Sequence, residues 1–386
     1  MGCVNSSLHA DRPRKSADTT TAAPLAEDFE AAAGFIAQTQ GPFMLQLGAE
    51  TLAGSYTYKD GHLYDESSCC IGTFTFDPIG DPLFDAAFLD SAAEKHVPVV
   101  GLVSGDIAEF IQDERHEGAY FLLPSQLNGA EYPSNHCIVE KVQAYLQDNT
   151  GGPRGQLSVH PAVGQFLLDN AASRKRPEGI NAVDRLLAAL AAQGYGFELD
   201  NGYLRMPTPD NAVEADEALA AFRAELHTMR PLLMSGVPVS GALPSRQGFC
   251  RRTHRVGLAF ASAAPVNAYT NRPPSGSAAE RLHRKVAEAL LVAQFYGAMA
   301  QIATQATPER PVVVYLMPLG GGVFNNPIDS IVRAISLAVE RLESAGLLPA
   351  IDIRVLAWKG NPREAVVIRD LLGRYSKLRK LSHEGG

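Results

Sequence analysis

The segment with the most evident chemistry in this sequence is a run of glycines between an apolar stretch and a helix. Residues 312–316 have the character of a buried strand, and Gly320, Gly321 and Gly322 follow shortly after it. Pro327 then opens an amphipathic stretch, and proline is a favoured first residue of a helix. Glycines let a backbone approach a ligand closely, and N–H groups at the start of a helix suit an anion. A tight structural turn is the alternative interpretation of the same glycines.

Two common phosphate-binding signatures are excluded for this loop. It contains no Gly-Lys-Ser or Gly-Lys-Thr, so it is not an NTPase P-loop, and it lacks the G-x-G-x-x-G spacing of a Rossmann dinucleotide site. The order strand, Gly-Gly-Val-Phe, Asn-Asn-Pro, helix resembles instead the pyrophosphate loop of macrodomains, which bind ADP-ribose. The resemblance implies that the loop amides hold the diphosphate and that the aromatic ring packs near the distal ribose. Carried over by position, the ligand-binding residues are Gly320, Gly321, Gly322, Val323, Phe324 and Asn325.

A second segment fits the same family order near residue 105. Ser104 and Gly105 follow an apolar run and lead into Asp106 and Ile107. This resembles the Gly-Asp-Ile that follows an early macrodomain strand, where the aspartate accepts a hydrogen bond from the adenine amino group. The resemblance implies that Asp106 binds the adenine, and Ile107 beside it is predicted to be a ligand-binding residue. A common turn is the alternative interpretation.

A third segment, residues 122–132, runs from an apolar strand into a loop of small and polar residues. It resembles the Asn-Ala-Ala-Asn segment of the family, which reaches the distal ribose, but Glu131 stands where the second Asn would be. The glycine run expected directly afterwards is missing, and Gly151 and Gly152 are its candidate replacement.

A fourth segment points within the superfamily. Residues 261–267, which end in Pro265-Val266-Asn267, resemble the Ala-Pro-x-Asn turn of microbial poly(ADP-ribose) glycohydrolase-type macrodomains. The paired catalytic glutamates of those enzymes are absent from their usual context, and Glu131 is the nearby candidate. Similar divergent macrodomains occur in bacterial effectors that remove ADP-ribose from host proteins. The resemblance covers residues 97–372, apart from 174–236.

A carboxylate beside the distal ribose has a chemical use. Cleavage of an ADP-ribosyl linkage passes through an oxocarbenium-like state, as in glycoside hydrolysis. Glu131 can hold a ribose hydroxyl, protonate the leaving group or orient water, with Asn128 as the second catalytic candidate and Gln126 and Asn267 as hydrogen-bonding partners. The expected activity is hydrolysis of ADP-ribose from a modified protein, with serine, arginine, carboxylate, ribose and modified ubiquitin all open as acceptors. We expect no cofactor, metal or nucleic acid.

Other interpretations compete with hydrolysis. A non-catalytic ADP-ribose-binding protein (a reader) at a membrane would use the same loops without cleaving the ligand. An interaction protein with a degenerate pocket would neither bind ADP-ribose nor cleave it. The adjacent Cys69 and Cys70 admit a nucleophile, and the pair His136 and Cys137 admits a metal ligand, but both are more typical of ordinary packing. The basic cluster around residues 251–255 is interpreted as a solvated edge.

The first residues predict a membrane-targeting signal. The start Met1-Gly2-Cys3-Val4-Asn5-Ser6 fits the N-myristoylation pattern on Gly2, and Cys3 is a natural palmitoylation site. One acyl chain binds membranes only marginally, so Cys3 supplies the second signal. We therefore expect the protein at the cytoplasmic face of a membrane through a lipid anchor, and in the cytoplasm otherwise.

The elements that must position these residues suggest an α/β fold. Short apolar runs at 97–103, 119–123, 256–261, 312–316 and 351–357 predict buried strands, and helical stretches at 137–147, 278–303, 327–345 and 363–372 separate them. The prediction is a macrodomain-like α/β/α layered fold with a mixed, mostly parallel central sheet. Residues 1–25 are expected to be a flexible tether, 26–375 the ADP-ribose domain, and 376–386 a loose tail. Residues 174–236 interrupt the alternation of strands and helices and predict a helix-hairpin-helix insertion, with its turn at Asn201-Gly202.

Composition agrees with a globular domain. The 386 residues are 46% hydrophobic and 20% charged, which allows a sizeable core. The net charge of −8 argues against a dedicated nucleic-acid binder. The sequence has five cysteines and no CxxC pair, which argues against a disulfide scaffold and against a zinc ribbon. The apolar stretch 286–303 carries Glu288, Gln294 and Gln301, so it is too polar for a membrane span.

Overall fold

The computed structural model describes residues 56–81, 88–89, 97–148, 150–243, 248–266, 272–322 and 324–379. Four of the predicted functional residues lie outside this part of the chain, namely Gly2, Cys3, Asn267 and Val323. The predicted tether also lies outside it.

One mixed sheet organises the described residues. Its strands lie in the order β1-β2-β3-β8-β9-β5-β10-β11-β4-β12, and β6 with β7 forms a separate hairpin. The strands are β1 (Thr57–Lys59), β2 (His62–Tyr64), β3 (Cys70–Thr75), β4 (Val97–Gly105), β5 (Tyr120–Pro124), β6 (Glu198–Asp200), β7 (Tyr203–Arg205), β8 (Leu232–Leu243), β9 (Gly248–Ala261), β10 (Val312–Leu316), β11 (Ile351–Trp358) and β12 (Ser376–Arg379).

The sheet has an antiparallel part and a parallel part. Strands β1, β2, β3, β8 and β9 pair in antiparallel fashion, whereas every pair from β9 through β5, β10, β11 and β4 to β12 is parallel. The predicted α/β class with a mixed, mostly parallel sheet is therefore confirmed. In a parallel block all carboxyl ends meet at one edge, so the loops after β4, β5, β9 and β10 share that edge of the sheet.

Helices cover the sheet. They are α1 (Ile107–Gln112), α2 (Gly151–Gln156), α3 (Pro161–Asn170), α4 (Asp184–Ala192), α5 (Ala212–Glu225), α6 (Ala278–Ala303), α7 (Ile328–Ser344) and α8 (Pro362–Tyr375). Helix α6 packs against α5, α7 and strands β9 to β11, whereas α2 lies on β5 and against α1. The predicted bounds of α6 match the structure, and those of α7 and α8 differ by one to three residues.

Helix α6 is buried along most of its length. Its start is fixed by a reciprocal cap, because Ser277 accepts from the Glu280 N–H at 3.1 Å and Glu280 accepts from the Gly276 N–H at 2.6 Å. By length and composition it could cross a membrane, but 83% of its apolar window is buried inside the protein. That burial is typical of the core helix of a globular domain.

Three sequence-based expectations differ from the structure. Residues 137–147 were predicted to be helical, but only Val142–Gln147 form a short 3-10 helix, and residues 134 and 137 form a β-bridge. The tail expected to be loose contributes β12, which pairs in parallel with β4. The last residues of the predicted insertion, 174–236, belong to the central sheet, since β8 begins at Leu232. Its helix-hairpin-helix content is otherwise as predicted, with α4, the hairpin β6–β7 and α5 in order.

Candidate functional site

The four motifs singled out in the sequence meet at the carboxyl edge of the parallel strands. Residue Asp106 follows β4, the loop of Glu131 follows β5, the segment 262–266 follows β9, and the glycine loop follows β10. The register places Pro124 opposite Ala261 and Leu316 opposite Leu122. Loops far apart in sequence are therefore neighbours in the fold.

The loop after β5 is held by two buried amides. Gln126 donates from Nε2 to the Tyr132 carbonyl at 3.0 Å and accepts at Oε1 from the Tyr132 N–H at 2.7 Å. Asn128 is 0% exposed, donates to the Ala172 carbonyl at 2.7 Å and accepts from the Ala130 N–H at 3.1 Å. The structure thus makes Gln126 and Asn128 the supports of the loop that carries Glu131. With its side chain enclosed in this way, Asn128 does not face the open part of the site as the sequence had suggested.

Glu131 lies in tightly packed but not sealed surroundings. Its backbone N–H donates to the hydroxyl of buried Tyr145 at 2.8 Å. An added Cβ on Gly152 would lie 2.0 Å from Glu131 Oε1 and 2.4 Å from the Pro124 carbonyl oxygen, so the carboxyl packs directly on the start of α2. The residue as a whole is half-buried. Gly151 and Gly152, the candidate replacement for the missing glycine run, are therefore placed beside Glu131.

These surroundings favour the protonated form of Glu131. Burial raises the pKa of the Glu131 carboxyl well above its usual value, and the negative charge of Asp148 raises it further. Burial also raises the pKa of Tyr145, and the neighbouring Glu131 charge adds to the effect. The site can therefore hold a carboxylic acid, which can donate a proton, instead of a carboxylate.

The glycine loop is tied to the segment after β9. Gly320 has a φ of 77°, and an added Cβ would lie 2.4 Å from the Ala263 Cβ, so only glycine fits there. Buried Asn326 donates to the Ala264 carbonyl at 3.0 Å, and the Phe324 carbonyl accepts from the Val266 N–H at 3.1 Å. The Ala-Pro segment and the glycine loop thus form one unit.

The middle of the glycine loop is more open than its start. An added Cβ on Gly321 would contact Ile331 Cδ1 at 3.3 Å, whereas one on Gly322 would meet nothing within 4 Å. The Gly322 carbonyl accepts from the N–H of Asn325, which has a φ of 58°. Gly322 is therefore the position at which the backbone can be approached from outside.

The predicted adenine residues are engaged within the protein. Asp106 caps α1 through a 2.9 Å bond from the Ala108 N–H to Oδ1, and its Oδ2 accepts from Arg154 Nη2 at 2.7 Å. The side chain of Ile107 lies in the core, which leaves its backbone as the part that can face a ligand. Arg154 belongs to α2, so the same short helix contacts Glu131 at its start and Asp106 near its end.

Tyr203 of the inserted hairpin joins the two principal loops. Its hydroxyl donates to the Tyr132 carbonyl at 2.6 Å and accepts from Gln126 Nε2 at 3.2 Å. Its ring lies edge-on to Phe324, with ring centroids 5.8 Å apart. The hairpin turn also packs on this loop, because the Leu127 N–H donates to the Gly202 carbonyl at 3.0 Å. The insertion is therefore part of the site's framework.

Four residues of the site had no role in the sequence analysis: Tyr145, Asp148, Arg154 and Tyr203. The only local signal was the Asn-Gly turn that precedes Tyr203, which predicted the hairpin but not its partner. Within the described residues, no group of three or more His, Cys, Asp or Glu side chains is placed to hold a metal ion.

The cysteines and the basic cluster take ordinary positions. Cys69 is exposed, and the Cys70 thiol donates to the Gly72 carbonyl at 3.6 Å. Cys137 is exposed. His254 is buried against the Ile111 carbonyl, and Arg255 donates to the carbonyls of Cys70 and Gly236. The cluster is therefore partly structural instead of fully solvated.

Comparison with known proteins gives similarities at the level of structure. No protein-family model matches the sequence, and no curated protein sequence matches it. Among solved structures, the poly(ADP-ribose) glycohydrolase of Thermomonospora curvata matches with 12% identity over 90% of this chain and 99% of its own, at a TM-score of 0.41. The Deinococcus radiodurans poly(ADP-ribose) glycohydrolase in complex with ADP-ribose matches with 13% identity over 78% and 94%, at 0.36. A macrodomain of Oceanobacillus iheyensis matches with 11% identity over 70% and 89%, at 0.29.

Proposed function

We propose that this protein binds ADP-ribose at the carboxyl edge of its sheet and hydrolyses the bond between ADP-ribose and a modified protein. The observation that carries the proposal is the Glu131 carboxyl, packed on Gly152 at the ends of the parallel strands with its pKa raised by burial. An acid so placed, on a loop that Tyr203 joins to the glycine loop, is suited to glycosidic cleavage.

The proposed reaction breaks the bond between the anomeric carbon and the acceptor oxygen or nitrogen. Protonated Glu131 gives its proton to the leaving acceptor atom, which departs with the bonding electron pair. Water then adds to the anomeric carbon and loses a proton, which restores the Glu131 acid. The raised pKa of Glu131 supports this order, because the acid form must be present before cleavage.

Binding is assigned to the chain's backbone and to one aspartate. The diphosphate is proposed to lie against the amides around Gly321 and Gly322, ahead of the start of α7, where N–H groups are available to an anion. The adenine amino group is proposed to share the Asp106 carboxylate with Arg154, which holds one of its oxygens at 2.7 Å.

The test compares binding with turnover. Glu131→Gln should keep ADP-ribose affinity within about threefold by isothermal titration and lose turnover by more than about 100-fold in release of ADP-ribose from a modified protein, a size typical of a lost general acid. The matched control is Glu140→Gln, an exposed carboxylate nine positions along the chain. Unchanged release by Glu131→Gln would remove Glu131 from the reaction.

A reader that binds ADP-ribose without cleaving it is the second candidate. It is favoured by Asn128, whose enclosed side chain is bonded to the Ala172 carbonyl and the Ala130 N–H and so leaves Glu131 without the second predicted catalytic residue. If the protein is a reader, the wild-type protein binds ADP-ribose and releases no ADP-ribose from any modified acceptor.

Membrane attachment is a separate proposal that rests on the sequence alone. Acylation of Gly2 and Cys3 would place the domain at the cytoplasmic face of a membrane. Gly2→Ala should move the protein to the soluble fraction of cells, whereas Ser7→Ala should not. Membrane association that survives Gly2→Ala would contradict the proposal.

A further inference from the structure

A cavity of about 270 Å³ borders the loop of Glu131. Its wall includes Tyr132, the segment 138–141, Leu168 of α3 and the turn at 173–176 where the insertion begins. That turn is closed by two bonds between the same residues, from the Ser173 N–H to the Arg176 carbonyl at 2.7 Å and from the Arg176 N–H to Ser173 Oγ at 3.2 Å. None of the described glycine-loop residues lines this cavity, so it is distinct from the proposed diphosphate site.

Three cations without carboxylate partners surround the opening. Lys141, Lys175 and Arg176 line the cavity and are exposed. Within the part of the chain that the structure describes, none of the three forms an ion pair, and Arg176 makes only one long contact from Nη2, at 3.5 Å to the Leu168 carbonyl. Their charges are therefore available to a ligand.

Two carboxylates also lie on the wall, and they do not cancel this charge. Asp169 is already engaged, because Oδ2 accepts from the Tyr56 hydroxyl at 3.1 Å and Oδ1 from Gln165 Nε2 at 2.8 Å. Glu140 is exposed at the rim. Three cations against two carboxylates leave a positive excess around the opening.

A tyrosine on the cavity wall completes the set. Tyr132 is 4% exposed, and its backbone is fixed by Gln126 and Tyr203. Among the described residues its phenolic oxygen has no hydrogen-bond partner. Burial raises the pKa of Tyr132 to about 12 while the Arg176 charge acts in the opposite direction, so the hydroxyl keeps its proton and lies within the influence of a cavity cation. A protonated phenol that is held in place and without a partner is a ready donor.

We propose that this cavity is a binding site for an oxyanion, a phosphate or carboxylate group, held by the Tyr132 hydroxyl, Lys175 and Arg176. Guanidinium, ammonium and phenol groups are donors suited to such oxygens. The anion has two conceivable sources, a free phosphate compound or an acidic or phosphorylated side chain of a bound protein. Since Tyr132 follows Glu131 directly, the second source would place that protein next to the proposed reaction centre.

The test is calorimetric titration of the full chain with inorganic pyrophosphate in the presence of saturating ADP-ribose, which occupies the diphosphate site proposed on the glycine loop. Arg176→Glu should weaken binding by at least about tenfold and Tyr132→Phe by about threefold, in line with the loss of a charge-assisted and of a neutral hydrogen bond. Arg185→Glu is the matched control, because it makes the same charge change at an exposed position of α4 in the same insertion and should change binding by less than twofold or so. An equal loss in Arg185→Glu, or no loss in Arg176→Glu, would overturn the proposal.

A second arm separates the sources of the anion. Peptides that contain phosphoserine or glutamate are titrated in parallel with pyrophosphate. If a peptide binds, pyrophosphate does not, and Arg176→Glu weakens the binding of that peptide, the site is assigned to a protein side chain. Binding of none of the probes would overturn the proposal. This test measures binding alone, so its outcome does not depend on whether the protein is a hydrolase.

Discussion

Tyr203 meets Phe324 edge-on, with ring centroids 5.8 Å apart and an angle of 63° between the planes. These residues lie on the inserted hairpin and on the glycine loop, and Tyr203 also donates to the Tyr132 carbonyl beside Glu131. One side chain therefore sets the position of the loop with the carboxyl relative to the loop proposed to hold the diphosphate. Since misplacement by about 1 Å can cost roughly 100-fold in rate, this contact matters for the proposed reaction.

The first prediction separates the two contacts of Tyr203. Tyr203→Phe keeps the ring against Phe324 and removes the bond to the Tyr132 carbonyl, which still accepts from Gln126, so a loss of about 1 kcal/mol of stability is expected. Tyr203→Ala removes both contacts and should cost about 3–5 kcal/mol. Urea denaturation measures the stability, and kcat and KM are compared in the release assay.

The activity data decide whether Tyr203 positions the site. We expect Tyr203→Phe to lower kcat with little change in KM for the modified protein. Tyr195→Phe is the control, because that hydroxyl is in the same insertion and makes no hydrogen bond among the described residues. A drop in stability without any change in kcat would assign Tyr203 a structural role only.

The second prediction concerns pH. If Glu131 acts as an acid, kcat falls as the pH rises through its raised pKa, because the proton to be donated is then lost. Asp148 contributes to that pKa through its negative charge, so Asp148→Asn lowers the pKa and moves the alkaline limb of the profile to lower pH. The pH dependence of kcat in the release assay measures the shift.

A matched charge change controls for general electrostatics. Asp370→Asn removes an exposed carboxylate of α8 that is not among the charges acting on Glu131. Its profile should coincide with that of the unaltered protein. A limb that moves to higher pH in Asp148→Asn would contradict the acid role.

Much of the fold was predictable because inner parallel strands such as β5 are buried on both faces. Continuous apolar runs marked β4, β5, β10 and β11, and the carboxyl ends of parallel strands must meet at one edge, so the four motifs could be expected to converge. The strand β12 was missed because its alternating basic residues carry no apolar run, although β4 supplies the backbone partner.

The contacts that build the site were less accessible from sequence. Tyr203 and the Tyr132 carbonyl are 71 positions apart, and Arg154 and Asp106 are 48 apart. No local periodicity encodes such pairings, since they depend on the crossing of separate elements. The sequence suggested Asn128 for chemistry because of its residue type, and only the packing of residue 172 against the loop shows that its amide is enclosed.

The third prediction tests the contact between α2 and Glu131. Gly152→Ala would place a Cβ 2.0 Å from Glu131 Oε1 and 2.4 Å from the rigid Pro124 carbonyl, so one loop must move and release of ADP-ribose should fall by about 100-fold. Gly151→Ala is the control, because its Cβ would come close only to the flexible end of Met317, at 2.8 Å, and would lie in ordinary van der Waals contact with Pro124 Cγ at 3.7 Å. Similar activity in both variants would show that the position of α2 is unimportant.

The fourth prediction concerns the Asp106–Arg154 ion pair. Both side chains are largely buried, so removing one charge leaves the other without compensation, and Asp106→Asn should destabilise the fold by about 3 kcal/mol while keeping an acceptor for the α1 cap. The double variant with Arg154→Met should cost less than the two single changes together.

An exposed pair gives the comparison. Arg115 and Asp113 form an ion pair with 67% and 29% side-chain exposure, and Asp113→Asn should cost at most about 1 kcal/mol. Urea denaturation of the whole cycle measures the coupling. Additive effects of Asp106→Asn and Arg154→Met would mean that the two side chains are not paired in solution.

The last prediction concerns the stability cost of Glu131. The folded chain raises the pKa of this carboxyl, whereas the unfolded chain leaves it near the usual 4.5. Above the unfolded pKa the unfolded state gains by ionising, so this group destabilises the fold increasingly as the pH rises, until the raised pKa is passed. Glu131→Gln removes the ionisation and should therefore stabilise the protein at neutral pH, with a gain that disappears below about pH 4. Urea denaturation across that range measures it, and Glu140→Gln, at an exposed carboxylate, should show no such dependence. A Glu131→Gln protein that is less stable at neutral pH would mean that the carboxyl is ionised and held by a partner.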